Sequence, residues 1–239
     1  MTAQYITDTR TGQRVRMPLI LGIDPGAEKG YALIDPEQPV IRRSVTTPRV
    51  LFLATDILDV RACLYGNVRP LWVIVEYQYG NRVGAGEISA DSIIRLAFRA
   101  GFMLREAATL PCCVDKFASP PSSWKDEVFT HGKGIRKDVF CNKLKARLTP
   151  EELALFEPIA DRNTDDVLDA IGIAWALALV MGDPKRVGGW RVTDSHILPL
   201  EKKPNRKVNE KRMLANNPGL QKMLAMREAQ NSKKAESNE

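Results

Sequence analysis

The sequence predicts an α/β protein: a mixed sheet with helices packed on both faces, plus a basic C-terminal extension. Three observations predict it. Two apolar runs of strand length, Pro18 to Ile23 and Leu71 to Val75, each stop at a carboxylate, Asp24 and Glu76. Short strand-like segments come first and strand–helix alternation follows, the order expected of a mixed sheet covered by helices. A late helix-length stretch, about Asn163 to Met181, is carboxylate-rich at its start and apolar thereafter, as a helix buried against such a sheet would be.

Along the chain, residues 1–16 are polar and read as a flexible segment. Pro18 to Ile23 reads as a fully buried strand, ended by the turn residues Pro25 and Gly26. Tyr31 to Ile34 forms a second short strand, and a third around Val40 to Val45 completes an antiparallel meander. Thr47 before Pro48 reads as a helix start, with a capping hydroxyl and a proline in the first turn. Leu51, Ala54, Leu58 and Ala62 follow it on one face. Leu71 to Val75 is the next buried strand. After the glycine-rich loop YQYGNRVGAGE, a helix is expected from about Ser89 to Ala108, with Ile94, Ala97, Phe98 and Phe102 inward and Arg95 and Arg99 outward. A fifth strand falls around Leu110 to Val114. Pro120 and Pro121 open a loop that contains His131-Gly-Lys-Gly. A shorter amphipathic helix covers about Arg136 to Leu148, its seam at Phe140, Leu144 and Leu148. Gly182, Asp183 and Pro184 stop the late helix. The chain thus divides into a flexible segment 1–16, a folded domain 17–187 and a basic tail 188–239.

At 239 residues and 44% hydrophobic, the chain is able to bury one sizeable core with residues left over for a tail. Of the formal net charge of +6, +5 lies in residues 201–239, which hold ten Lys and Arg against five Asp and Glu. Such a segment suits an arm that meets a polyanion, and equally a solubilising tail. The four cysteines, Cys63, Cys112, Cys113 and Cys141, form no CxxC pair, which argues against structural zinc and for a reducing compartment. The opening residues lack the apolar core of a signal peptide, and the longest apolar run, Ala170 to Met181, is too short to span a bilayer. A soluble, cytoplasmic protein without membrane contact is expected.

The chemistry lies in where the carboxylates fall. If the strands ending at Asp24 and Glu76 are adjacent and parallel, both side chains emerge at one sheet edge. Asp165, Asp166 and Asp169 lie on the first turns of the late helix, and Asp169 shares a helix face with either of the other two. Singly, Asp165 and Asp166 would serve as complements to the helix dipole, and Asp24 as an ordinary turn aspartate. Glu76, directly after Leu-Trp-Val-Ile-Val, is harder to explain without a function. Carboxylates converging on one point repel one another and raise their own pKa values, and a divalent cation relieves this. Oxygen ligands suit Mg²⁺ or Mn²⁺ rather than zinc. Such a cluster is able to hold two ions about 4 Å apart, one activating water and one stabilising the leaving 3′ oxygen of a phosphodiester.

Three motifs occur in order over about residues 18–181: Ile20-Leu-Gly-Ile-Asp-Pro-Gly26 with Gly30-Tyr31, then Val75-Glu76-Tyr77-Gln78-Tyr79, then Asp166-Val-Leu-Asp169-Ala-Ile-Gly-Ile-Ala. They resemble the opening strand, the second acidic strand end and the closing helix of the RuvC family of Holliday junction resolvases, in the ribonuclease-H-like superfamily. The resemblance implies a ribonuclease-H-like five-stranded mixed sheet. It implies a homodimeric crossover junction endodeoxyribonuclease, cutting four-way or other branched DNA at two symmetric positions with Mg²⁺ and no small-molecule cofactor. The metal-binding, catalytic carboxylates it implies are Asp24, Glu76, Asp166 and Asp169, with neighbouring Asp165 leaving the helix ligand open by one position. Tyr79 matches the family's aromatic at the junction centre, and Tyr77 is a second choice. A tyrosine in a glycine-rich loop is able to stack on an unpaired base, and ordinary loop packing is the alternative. Arg82 in the same loop is expected on DNA. The stretch Ser123-Trp-Lys125 through His131-Gly-Lys-Gly-Ile-Arg-Lys137 resembles the family's basic segment, which places Lys125, Lys133, Arg136 and Lys137 on backbone phosphates. The segment beyond Gly188 has no counterpart in the family's compact domain.

Three other readings compete. A nuclease of the same superfamily acting on RNA–DNA hybrids, flaps or forks would carry an identical metal site. A sugar-kinase or actin-like ATPase would need a second glycine-rich phosphate loop where Glu76-Tyr-Gln-Tyr stands. A protein that binds branched DNA without cutting it would have no need of all four carboxylates.

Overall fold

The computed structural model describes residues 5–7, 14–42, 45–77, 90–129, 135–161 and 164–192. The chain divides into two compact units, Met1–Ile197 and Leu198–Glu239, and the second lies outside the described residues. The first holds strands β1 (Tyr5–Thr7), β2 (Arg14–Arg16), β3 (Leu19–Asp24), β4 (Gly30–Arg42) and β5 (Val45–Ala54), helix α1 (Ile57–Cys63), strand β6 (Leu71–Glu76), helix α2 (Ala90–Ala107) and strand β7 (Cys113–Ser119). Helices α3 (Pro121–Val128), α4 (Lys137–Lys145), α5 (Pro150–Ala154), α6 (Asp165–Val180) and α7 (Pro184–Trp190) follow.

Strands β3 to β7 form one five-stranded sheet in the order β5-β4-β3-β6-β7. β4 is antiparallel to β3 and β5, while β6 is parallel to both β3 and β7. The predicted mixed sheet is therefore present, with helices on both faces. Ile20, Trp72, Ile74 and Phe117 pack on one side with α3, α4 and α6. Leu21, Ile23, Val73 and Val75 pack on the other with α1 and α2. Covered on both faces, β3 and β6 are buried throughout, which is why they read as unbroken apolar runs. α6 lies directly on the strands because two positions lack a side chain. A Cβ at Gly22 would sit 2.1 Å from the Ala170 carbonyl oxygen, and one at Gly30 2.0 Å from that of Asp166.

Several expectations need correction. Residues 5–7 and 14–16 pair as an antiparallel two-stranded sheet, so segment 1–16 is not wholly loose; Tyr-Ile-Thr and Arg-Val-Arg carry strand-forming residues. β4 is continuous where two short strands were expected, its register shifting between Asp35 and Pro39. Thr47-Pro48 starts no helix: the segment is edge strand β5, where a proline is tolerated. Helix begins only after Asp56, whose carboxylate accepts the Leu58 N–H, and Leu58 and Ala62 then face solvent. The fifth strand starts at Cys113, later than expected.

Pro121 opens helix α3 rather than a loop, because proline fits the first helical turn. A second unforeseen helix, α5, starts on a capping box between Thr149 and Glu152. Glu152 also accepts the Val50 N–H of the sheet's edge strand at 2.8 Å. On α2 the buried residues are Ala100, Met103, Leu104 and Ala107, and Ile94, Phe98 and Phe102, expected inward, are 54%, 77% and 59% exposed, while Arg95 and Arg99 are exposed as expected. The late helix stops before Gly182, as expected, and Pro184 follows it. Pro184 begins α7, capped by Asp183, and Val192 then donates to the Lys116 carbonyl oxygen at 2.8 Å. The expected domain boundary after residue 187 thus falls inside a helix. Among the described residues no helix is long and apolar enough to cross a membrane, and the four cysteines are free thiols.

Candidate active site

The parallel register of β3 and β6 matches Ile23 with Val75, so Asp24 and Glu76 end neighbouring strands at the same edge. Ligands of open α/β sheets bind outside such carboxyl ends. α6 reaches that edge with its first turns and brings Asp166 and Asp169. The four carboxylates are nearly enclosed, at 6%, 9%, 4% and 6% exposure for Asp24, Glu76, Asp166 and Asp169. They line one cavity of about 260 Å³ together with Pro25, Gly26, Leu96, Pro121, Lys125 and Lys137. Of the two adjacent acids Asp166 lines the cavity, while Asp165, half-buried, is not among the lining residues.

Three of the carboxylates are held by their own neighbours. Asp24 accepts the Gly26 N–H at 3.0 Å, closing the turn after β3. Asp166 accepts the Glu28 N–H at 3.0 Å and meets the Lys137 ammonium at 3.4 Å. Gly26 makes room for it, since a Cβ there would lie 2.2 Å from the Asp166 carboxylate. The buried Trp124 indole N–H donates to Glu76 at 2.8 Å. Arg99 of α2, expected to point outward, donates to the Gly26 carbonyl oxygen at 2.6 Å and so braces the Asp24 turn. Asp169 differs: its Oδ1 is buried without a hydrogen-bond partner.

The electrostatics follow from this crowding. Burial, then the charges of Glu76, Asp169 and Asp166, hold the Asp24 carboxyl well above the usual range, with Lys137 opposing. Asp169 is pushed up to about 6, first by burial; Glu76 and Asp166 add to this, and Lys125 and Lys137 oppose it. Burial pulls the Lys137 ammonium down, but Asp169, Asp166, Asp24 and Asp165 outweigh it and raise the group.

Among the described residues no group of three or more His, Cys, Asp or Glu side chains is arranged to hold a metal ion as it stands. Asp166 is engaged by the Glu28 N–H and the Lys137 ammonium, and Glu76 by the Trp124 indole N–H. The donor set nevertheless fits a hard divalent cation. Four buried carboxylates offer oxygen ligands only, two have raised pKa values, and one oxygen is orphaned.

Of the expected DNA contacts, Lys125 and Lys137 line the cavity. Arg136 does not; it is exposed and pairs with Asp138 at 3.0 Å. Tyr77 is half-buried and packs against the core on the α2 side of the sheet. Tyr79, Arg82 and Lys133 lie outside the described residues. Trp124 and Leu96 also belong to the site, with no sequence signal that marks either. Trp124 stands inside a quoted motif, but its contact with Glu76 depends on α3 being a helix.

Fold and cavity together define an α/β protein with a carboxylate-lined cleft at the carboxyl ends of its parallel strands. No family model matches the sequence, and no curated protein matches it. Among solved structures the chain is similar to Thermus thermophilus RuvC, at 20% identity and a TM-score of 0.39, over 72% of this chain and 98% of that one. It is also similar to T. thermophilus RuvC in complex with Holliday junction substrate, at 15% identity and a TM-score of 0.45, over 73% and 99% of the two chains.

Proposed function

We propose that the protein is a Mg²⁺-dependent endonuclease that resolves Holliday junctions by paired, symmetric cuts. The observation that carries the nuclease reading is the convergence of Asp24, Glu76, Asp166 and Asp169 in one cavity rimmed by Lys125 and Lys137. Asp24, Glu76, Asp166 and Asp169 would hold Mg²⁺, for which Mn²⁺ is an alternative; two such ions supply activation of the attacking water and stabilisation of the leaving 3′ oxygen. The chain's own part is to place negative charge at the floor of the cleft and positive charge at its rim. Lys125 and Lys137 draw a backbone phosphate to the mouth. The walls formed by Leu96, Pro25 and Pro121 limit water around it.

Branched DNA is proposed from the sequence motifs alone: Tyr79 would stack at the junction centre, and Arg82, Lys133 and Arg136 would meet flanking phosphates. A second copy of the chain supplies the second cut, since a four-way junction has approximate two-fold symmetry. The exposed row Ile94, Phe98 and Phe102 on α2 supports that pairing.

The test of the site is substitution. Asp24→Asn and Asp169→Asn are each expected to abolish Mg²⁺-dependent cutting of a synthetic junction, a loss of at least about a hundredfold. Gel-shift affinity for the same junction should persist. Cleavage by either variant at the wild-type rate contradicts the assignment. Faster cutting of forks or RNA–DNA hybrids than of junctions would keep the nuclease and remove the resolvase.

A further inference from the structure

Trp124 is fully buried, yet it carries one polar atom that must be satisfied. Its N–H finds not a backbone carbonyl but the carboxylate of Glu76, at 2.8 Å. The ring also touches the elements that carry the other cavity residues. A Cβ at Gly172, one turn after Asp169 on α6, would meet its Cζ3 atom at 2.6 Å, so the helix leaves a space for the indole. Phe140, one turn after Lys137 on α4, packs edge-on against it with ring centroids 5.2 Å apart. The Lys125 ammonium lies 5.0 Å from its centroid. One side chain is thus wedged between the strand that ends in Glu76 and the helices that bear Asp169 and Lys137.

From this arrangement we propose that Trp124 is a positioning residue for the cation site, fixing the Glu76 carboxylate through its indole N–H before a divalent ion arrives. The inference rests on the cation-binding reading of the cavity. An immobilised carboxylate loses less freedom when it becomes a ligand, so its cation binds more tightly.

Trp124→Phe keeps an aromatic ring in the slot and removes only the N–H and the outer ring. Full-length wild type, W124F, E76Q and the double variant are titrated with Mn²⁺, the free ion being counted by its paramagnetic resonance signal. W124F is expected to bind Mn²⁺ about tenfold more weakly than wild type, the loss of one hydrogen bond to a charged group. In the E76Q background the same change should cost less than about twofold, because the partner it holds is already altered. Thermal melting of each variant shows that the folded protein is being compared. An equal loss in both backgrounds would assign the effect to general packing and overturn the proposal. Unchanged Mn²⁺ affinity in W124F overturns it too, with the cation site left standing. Absence of Mn²⁺ binding by the wild type removes both this inference and the cation-binding reading beneath it.

Discussion

Asp169 carries the clearest residue-scale consequence, since one of its oxygens is buried without a partner and its pKa is pushed up to about 6 from 3.8. Between those values the folded state binds more protons than the unfolded state, so stability falls as pH rises. The contribution is most favourable below the unfolded value and is lost as pH rises through the folded one. Asp24, raised by the same burial and crowding, extends the trend upward. Urea unfolding in EDTA should therefore show the metal-free protein weakening from pH 4 to above 6. Asp169→Asn should flatten that slope and stabilise the metal-free protein at pH 8 by about 1–3 kcal/mol. An unaltered slope in the variant would contradict the electrostatic account. Asp24 and Glu76 were legible because each ends an apolar strand, and Asp166 and Asp169 because they lie in the first turns of a helix that is apolar thereafter. Trp124 and Arg99 were not, because their partners are distant in sequence and the contacts depend on how α3 and α2 rotate.

The elements matter through how closely α6 approaches the sheet. Gly30 holds the first turn of α6 against β4, and a methyl group there would collide with the Asp166 backbone carbonyl. Gly30→Ala is expected to lower unfolding free energy by about 1–3 kcal/mol. Calorimetric titration should also show a weaker Mg²⁺ response, because Asp166 moves away from Asp24. Wild-type stability and metal response together would contradict the proposed role of this close contact. β3, β6, α4 and α6 were legible from run length and apolar period. β5 was not: Thr47-Pro48 has the local chemistry of a helix start, and pairing with β4 along the edge overrides it. Pro120-Pro121 read as a loop although proline suits a first helical turn. On α2 two apolar rows share one helix, and periodicity alone does not tell which row the sheet covers.

For the whole molecule, the proposed pairing of two copies would use the exposed α2 row of Ile94, Phe98 and Phe102. Phe98→Glu combined with Phe102→Glu places charge on a face proposed to meet its own copy. Sedimentation should find the wild type as a dimer and the double variant as a monomer. A monomeric wild type would leave the exposed row without this explanation, and paired cutting without its simplest source. The proposed cutting of branched DNA is read out by mapping its cleavage products. With Mg²⁺ and a synthetic four-way junction labelled on each strand in turn, nicks are expected in two opposing strands at symmetry-related positions, with linear duplex of the same sequence left largely intact. Equal cutting of duplex and junction, or no cutting with either Mg²⁺ or Mn²⁺, would contradict it.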